Sequence, residues 1–297
     1  MLRIRSGFTL GTTPRSRPSP SSGRNSHMTY ASIMVAVDLG AEARDRVRLA
    51  GHLADDFRAR LIGVAAEEAS YAVPPIGPVP ASAYALAANS ELILNDLKRA
   101  HAVFEEAAGT RSRVEWRSNL DFPLPFLIGQ AAAADLVVVG RKPASGPLLC
   151  SVDPGDLVMH LGRPVLVVPP GLDHLDVRRV AVGWKNTREA RRAVRDALPF
   201  LTRASRVVVV SIDDGESADD TADVVGFLQA HDIEATAIRT ETGGSATSLA
   251  LVDAAAEQAA DLIVTGAYGH GRLREWVFGG VTRDLLAGAP VCCLMSH

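Results

Sequence analysis

After position 28 the apolar residues switch repeatedly between alternate-residue spacing and spacing of three to four. That is the signature of strands alternating with helices. A short apolar strand is expected over 32–37, ending in Asp38-Leu39-Gly40. A helix follows over about 41–57, with Val47, Ala50, Leu53, Ala54 and Phe57 on one face. A second strand is expected at 60–65, and the proline-rich run 74–80 is expected to be irregular, because each proline removes a donor and restricts its predecessor. A long helix over about 82–107, a strand at 113–117, a helix at 126–134 and strands at 135–140 and 164–168 complete this half. Pro169-Pro170-Gly171 closes it.

The same order then repeats. Strands are expected at 180–184, 207–212, 233–239, 261–266 and 291–295, with helices at 188–201, about 219–231 and 246–260, and a last helix opened by the pair Gly279-Gly280. Ala134-Asp135-Leu136-Val137-Val138-Val139-Gly140 matches Ala260-Asp261-Leu262-Ile263-Val264-Thr265-Gly266, and Arg163-Pro164-Val165 matches Ala289-Pro290-Val291. The paired glycines (140 and 266) and the paired prolines (164 and 290) are both 126 residues apart, which an internal duplication explains. Strand–helix alternation implies right-handed crossovers and parallel sheets covered on both faces. The expected fold class is therefore α/β: two tandem, doubly wound, five-stranded parallel-sheet domains, 29–171 and 177–297, joined by Asp173-His174-Leu175-Asp176.

Length and composition agree with this picture. The 297 residues are 47% hydrophobic and 22% charged, which excludes fibrous and wholly disordered chains. Residues 1–28 hold five arginines and no acid, so they contribute +5 and the remainder −8 to the formal net charge of −3. This tail is expected to be disordered. It resembles a transit peptide in composition, though the preferred reading is extra residue ahead of a true start at Met28. The negative remainder argues against a nucleic-acid partner. No apolar run approaches the ~20 residues of a membrane span, so no membrane association and a cytoplasmic location are expected. Cys150, Cys292 and Cys293 have no metal-ligand spacing and read as small buried hydrophobes in a reducing compartment.

In such sheets a ligand sits beyond the carboxyl ends of the strands, where strand order reverses. After the second fourth strand the chain reads Gly266-Ala267-Tyr268-Gly269-His270-Gly271-Arg272 and continues to Gly279-Gly280-Val281-Thr282. Glycines let amides approach a phosphate, and a helix opening nearby supplies free amides and a positive dipole end. Arg272, Arg274 or Arg283 offer charge. The other reading is that these glycines only turn a tight corner.

Gly266-x2-Gly269-x9-Gly279 resembles the nucleotide-binding signature of the universal stress protein family. Domain size and strand–helix order resemble that family over nearly all of 30–297, and Trp184 to Ala190 is similar to the first-strand exit of its tandem members. The resemblance implies an adenine nucleotide alpha hydrolase-like fold and a stress-response regulatory module whose second half binds ATP, with Mg. Its binding set would be Gly183, Trp184, Ile212, Thr265, Gly266, Gly269, Gly279, Gly280, Val281 and Thr282. The family's hydroxyl residue after the last glycine is here Gly280, with Thr282 the compensating donor. Its acidic residue after strand one is kept as Asp38 in the first half and corresponds to Trp184 in the second, where the indole would either stack on adenine or plug the pocket. Ile212-Asp213 would line the other side of the base.

The first half lacks the second glycine after Gly140. Asp153 and Asp156 stand where phosphate would lie, so it reads as a degenerate, non-binding copy, with Asp38 a helix N-terminal acid. Arg188, Arg191, Arg192 and Arg195 are expected on a solvated or interface face of a helix, His270 on an exposed loop, and Asp219-Asp220 as a helix cap. No triad, metal cluster or Gly-Lys-Ser/Thr loop is legible, so no catalytic residue is assigned and slow ATP hydrolysis is the most expected. An adenylating ligase would need a catalytic Lys or metal carboxylate near Gly266. The competing function is an interaction protein whose pocket has decayed in both halves. Family members pair through exposed fifth-strand edges, here 164–169 and 290–295, which implies intramolecular domain pairing. An unidentified protein partner is expected, and a homodimer of the full chain is left open.

Overall fold

The computed structural model describes residues 29–68, 80–141, 151–213, 220–241, 246–268 and 280–297, with side chains from Ser90 onward in the long helix. The first half contributes strands β1 (Ser32–Ala36), β2 (Arg60–Glu67), β3 (Val114–Leu120), β4 (Leu136–Gly140) and β5 (Val165–Val168), with helices α1 (Ala43–Phe57), α2 (Pro80–Ala108), α3 (Pro123–Gln130) and α4 (Pro154–His160). The second contributes β6 (Arg179–Trp184), β7 (Arg206–Asp213), β8 (Ala235–Glu241), β9 (Leu262–Gly266) and β10 (Cys292–Ser296), with α5 (Arg188–Leu201), α6 (Thr221–Gln229), α7 (Thr247–Glu257) and α8 (Gly280–Gly288).

The strands form one ten-stranded sheet in the order β3-β2-β1-β4-β5-β10-β9-β6-β7-β8. Every pairing is parallel except the central one, where β5 and β10 run antiparallel with Leu166 opposite Leu294. Each half therefore has the doubly wound order 3-2-1-4-5, and an approximate twofold relates the halves at the seam. One face of the sheet is covered by α1, α2, α5 and α6, the other by α3, α4, α7 and α8, which gives two apolar cores. Burial on both faces explains why the strands read as continuous Val, Ile and Leu runs instead of alternating patterns.

The repeated Ala-Asp-Leu motif has a physical reason. Asp135 Oδ2 accepts from the amides of Ala31 (2.7 Å) and Ser32 (3.0 Å), and Asp261 Oδ2 accepts from those of Arg178 (3.0 Å) and Arg179 (2.8 Å). In each half the aspartate satisfies the amides that lead into the first strand.

The start of one helix differs from expectation. α3 begins at Pro123, three residues before its expected start, because proline at the first helical position loses only an amide that has no helical partner. Phe122 before it is extended (ψ 126°), as the residue preceding a proline must be. The tail 1–28, most of the proline run (74–79) and Cys150 lie outside the described residues. Cys292 and Cys293 are buried, and desolvation pushes both thiols up, Cys293 to about 12, so they behave as core hydrophobes. Among the described residues no helix is long and apolar enough to cross a membrane.

The seam holds a half-buried carboxylate. Asp196 on α5 accepts from Ser296 Oγ (2.8 Å), and its backbone carbonyl accepts from Tyr30 Oη (2.7 Å). Burial raises the carboxyl pKa of Asp196, outweighing Ser296 and Arg192, Arg195 and Arg163. A folded-state value above the unfolded one means that ionisation opposes folding: the favourable contribution is present at low pH and lost as pH rises through the raised value. Asp196→Asn, which keeps an acceptor for Ser296, is therefore expected to raise the melting temperature at pH 7.5 by about 2 °C. The gain should vanish near pH 4. A lower melting temperature at pH 7.5 would contradict this account of the seam.

Candidate functional site

Strand order reverses between β6 and β9 in the second half and between β1 and β4 in the first. The carboxyl ends of those strands are the places to look for a ligand.

In the second half, Gly183 pairs with Thr265 across the switch point. Thr265 is buried, and its hydroxyl donates to the carbonyl of Gly266 (3.2 Å). Gly266 lies against the first turn of α5: a Cβ there would stand 2.6 Å from the Glu189 carbonyl carbon and 2.9 Å from Ala190 Cα. Close helix–strand packing thus requires this glycine independently of any ligand. At Gly183 the space belongs instead to the Leu251 side chain, 2.7 Å from the would-be Cβ.

The two helix openings near this crevice differ in electrostatics. At α5, Thr187 Oγ1 accepts from the Ala190 amide (3.2 Å), and Glu189 is buried beside the first turn. Burial opposes ionisation of Glu189, but hydrogen bonds from Arg188, its own amide and Thr187 together hold its carboxyl below the usual range. The dipole end of α5 is therefore already neutralised. α8 has no acid in its first turn, Gly280 is exposed, and a Cβ on Gly280 would meet nothing within 4 Å. Its opening offers amides and space to an anion.

The other expected residues are placed as follows. Val281 is half-buried against the α7–α8 core. Thr282 does not compensate for the hydroxyl missing at Gly280: it is buried, and its Oγ1 accepts from the Tyr268 amide at 3.3 Å, which joins the ends of the stretch 268–282. Gly269, His270, Arg272, Arg274 and Gly279 lie outside the described residues, as does Asp219. Arg283 lies 3.8 Å from Asp284. Arg188, Arg191, Arg192 and Arg195 are all exposed along α5. Arg188 pairs with Glu189, and Arg192 donates to the His297 carbonyl (2.9 Å).

Strand register corrects the residue set on the base side. Ile33 pairs with Leu136, and Val180 with Leu262. Counting five residues on from Ile33 and Val180 makes Lys185, and not Trp184, the counterpart of Asp38 in the second half. Lys185 is exposed, whereas Trp184 is buried with its Nε1 donating to Asp220 Oδ1 (2.8 Å). Asp220 occupies the cap position of α6 but makes no side-chain cap bond there; Trp184 is its partner instead. Trp184 packs with the α5–α6 core and Ile212 with the opposite one, so the two side chains do not face each other across a base. Asp213 is paired with Arg239 (2.9 Å). Among the described residues, the opening of α8 is thus the part of this crevice left open to an anion, and the base side holds no open stacking surface.

The first-half crevice is filled by its own side chains. Arg46 on α1 is buried, donates through Nε to the Ala36 carbonyl (3.0 Å) and pairs with Asp38 (2.7 Å). Its guanidinium also occupies the space that a side chain at Gly140 would need. Asp38 lies ahead of α1, not in its first turn, and also accepts from the Gly40 amide (2.9 Å). At α4 the Asp153 side chain caps the Gly155 amide (2.9 Å), Pro154 has no amide proton, and Asp156 stands in the first turn. Arg46, Lys185, Glu189 and Tyr268 were not singled out from sequence as site residues; only the pairing register and packing bring them to these places.

Comparison with known proteins matches residues 176–297 to the model of the universal stress protein family. No curated protein matches the chain. Among solved structures, a universal stress protein from Archaeoglobus fulgidus superposes with a TM-score of 0.65 at 15% identity, covering 90% of this chain and 98% of its own. A protein of unknown function from Pseudomonas aeruginosa superposes at 0.52 with 15% identity, covering 90% of this chain and 92% of its own. Both likenesses are likenesses of fold and extend through both halves. Residues 176–297 thus carry a domain that matches the universal stress protein family, and the first half repeats the same doubly wound fold.

Proposed function

We propose that the chain is a stress-response regulatory protein whose second half binds ATP, with Mg²⁺ carried by the phosphates, and whose output is association with a partner protein. The observation that carries this reading is the contrast between the two equivalent helix openings. α8 presents exposed Gly280 and no acid, whereas α4 is closed by Asp153, Pro154 and Asp156. Gly280, Val281 and the backbone around Gly266 would hold phosphate, and Gly183 and Thr265 would form the floor. Bound ATP would supply a charge and a surface that change with nucleotide state; the residues described here bind and orient it. Among the described residues no group of three or more His, Cys, Asp or Glu is arranged to hold a metal. The first half supports the second as a non-binding copy, its crevice taken by Arg46 and Asp38.

A second reading has its own support. Trp184, tied to Asp220 and buried, supplies no stacking surface, as expected of an interaction protein whose pocket has decayed. The two readings separate on protein purified without added nucleotide, denatured, and analysed for released adenine nucleotide alongside a thermal-shift screen. Released ATP, or a melting-temperature rise with ATP and none with adenosine, supports the phosphate-centred site. If neither result is obtained, the decayed-pocket reading stands.

A further inference from the structure

We infer that Tyr268 is a positioning residue through which the first half sets the placement of the α8 opening in the second half. The inference rests on the nucleotide-binding reading above. Tyr268 follows β9 by two residues and has a left-handed backbone (φ 58°), uncommon for a residue with a side chain. Its amide is held by Thr282 Oγ1 in the first turn of α8 (3.3 Å), so the loop's two ends are fastened at this residue. Its side chain leaves the second half: a Cβ on Gly155 of α4 would lie 2.7 Å from Tyr268 Oη. α4 and α8 pack together at the seam, which brings Gly155 within reach of a tyrosine 113 positions along the chain. Burial, and then the charges of Asp153 and Asp156, raise the phenol's pKa, which agrees with a hydroxyl lodged beside the α4 opening.

Gly155 sits in the first turn of α4, where alanine would ordinarily be the better helix former. The space that alanine would need is the space the Tyr268 hydroxyl holds. The closed α4 opening of the first half thus serves as a notch that fixes a loop root in the second half. The φ of Tyr268, its bond to Thr282 and the approach of α8 are set together. A change at Gly155, which belongs to the other half, is transmitted to the phosphate side of the site through one ring.

The test uses the full chain, Mg-ATP calorimetry and thermal melts on wild type, Gly155→Ala, Tyr268→Phe and the double variant. Gly155→Ala is expected to weaken ATP binding by roughly tenfold while the melting temperature stays nearly constant. Tyr268→Phe removes the atom in closest conflict, ahead of Asp153 Oδ1 at 3.1 Å, so the double variant should bind like Tyr268→Phe alone. Unchanged affinity in Gly155→Ala, or no rescue in the double variant, overturns the inference. If wild type binds no ATP, the nucleotide reading fails separately and the melts decide: non-additive shifts sustain the contact, and additive ones overturn it.

Discussion

Gly280→Asp is expected to lower ATP affinity by about a hundredfold while leaving the protein folded and slightly more stable. The new side chain finds open space, since a Cβ at Gly280 meets nothing within 4 Å. A carboxylate in the first turn of a helix interacts favourably with the amides and dipole, by about 0.3–1 kcal/mol. The same charge repels a phosphate at those amides. Two unit charges about 4 Å apart near a protein surface interact by roughly 4 kcal/mol before salt screening, and ~2.7 kcal/mol is already a hundredfold. Stability and binding therefore move in opposite directions, which no general damage to the fold would produce. Gly280→Ser makes the complementary change by restoring the hydroxyl that the family resemblance leads one to expect there. It should tighten binding by about tenfold, because a hydrogen bond to a charged group contributes roughly 1.5–3 kcal/mol. Calorimetry and melting curves on the three proteins check both outcomes. Wild-type affinity in Gly280→Asp would place the phosphates away from α8.

Gly266→Ala should be the most damaging single methyl addition at the site. Its Cβ would stand 2.6 Å from the Glu189 carbonyl carbon and 2.9 Å from Ala190 Cα, both backbone atoms of a helix turn capped by Thr187. Overpacking usually costs about 1–3 kcal/mol, and here no rotamer change relieves it, so at least ~3 kcal/mol is expected. For a chain of this size that is a drop of about 6 °C in melting temperature. Gly183→Ala is the control: its Cβ meets the movable Leu251 side chain and should cost roughly 1 kcal/mol. A Gly266→Ala protein melting with wild type would mean that α5 does not pack against β9 as described. Gly266 is also a poor place to test phosphate binding, since any loss there would be confounded with the fold.

These two glycines illustrate how far the sequence could be read. Periodicity located all ten strands and the duplication, because buried strands and amphipathic helices are local patterns. The Asp135 and Asp261 repeat marked equivalent turns correctly, since each carboxylate satisfies amides that its half must satisfy. The candidate site was less legible. The 126-residue repeat holds at β4 and β9, but the pairing partners Ile33 and Val180 are 147 apart, because the first half carries the 29-residue α2 where the second has the 9-residue α6. Transferring one offset to the whole half therefore cannot align the first strands, and Trp184 took the place that register gives to Lys185. Gly266 looked like a phosphate glycine because a tight helix–strand approach and a phosphate approach demand the same missing Cβ. Arg46 filling the first crevice, and Tyr268 meeting Gly155, depend on packing between distant segments that no local pattern encodes.

The central claim is that the second half holds a nucleotide through the open N-terminus of α8. Its most direct measurement is isothermal titration of Mg-ATP into the full chain, with adenosine as the comparison ligand and after removal of any nucleotide carried through purification. The account predicts micromolar, enthalpically detectable binding of ATP, one site per chain, and much weaker binding of adenosine. No heat with ATP, or equal affinity for adenosine and ATP, would contradict it.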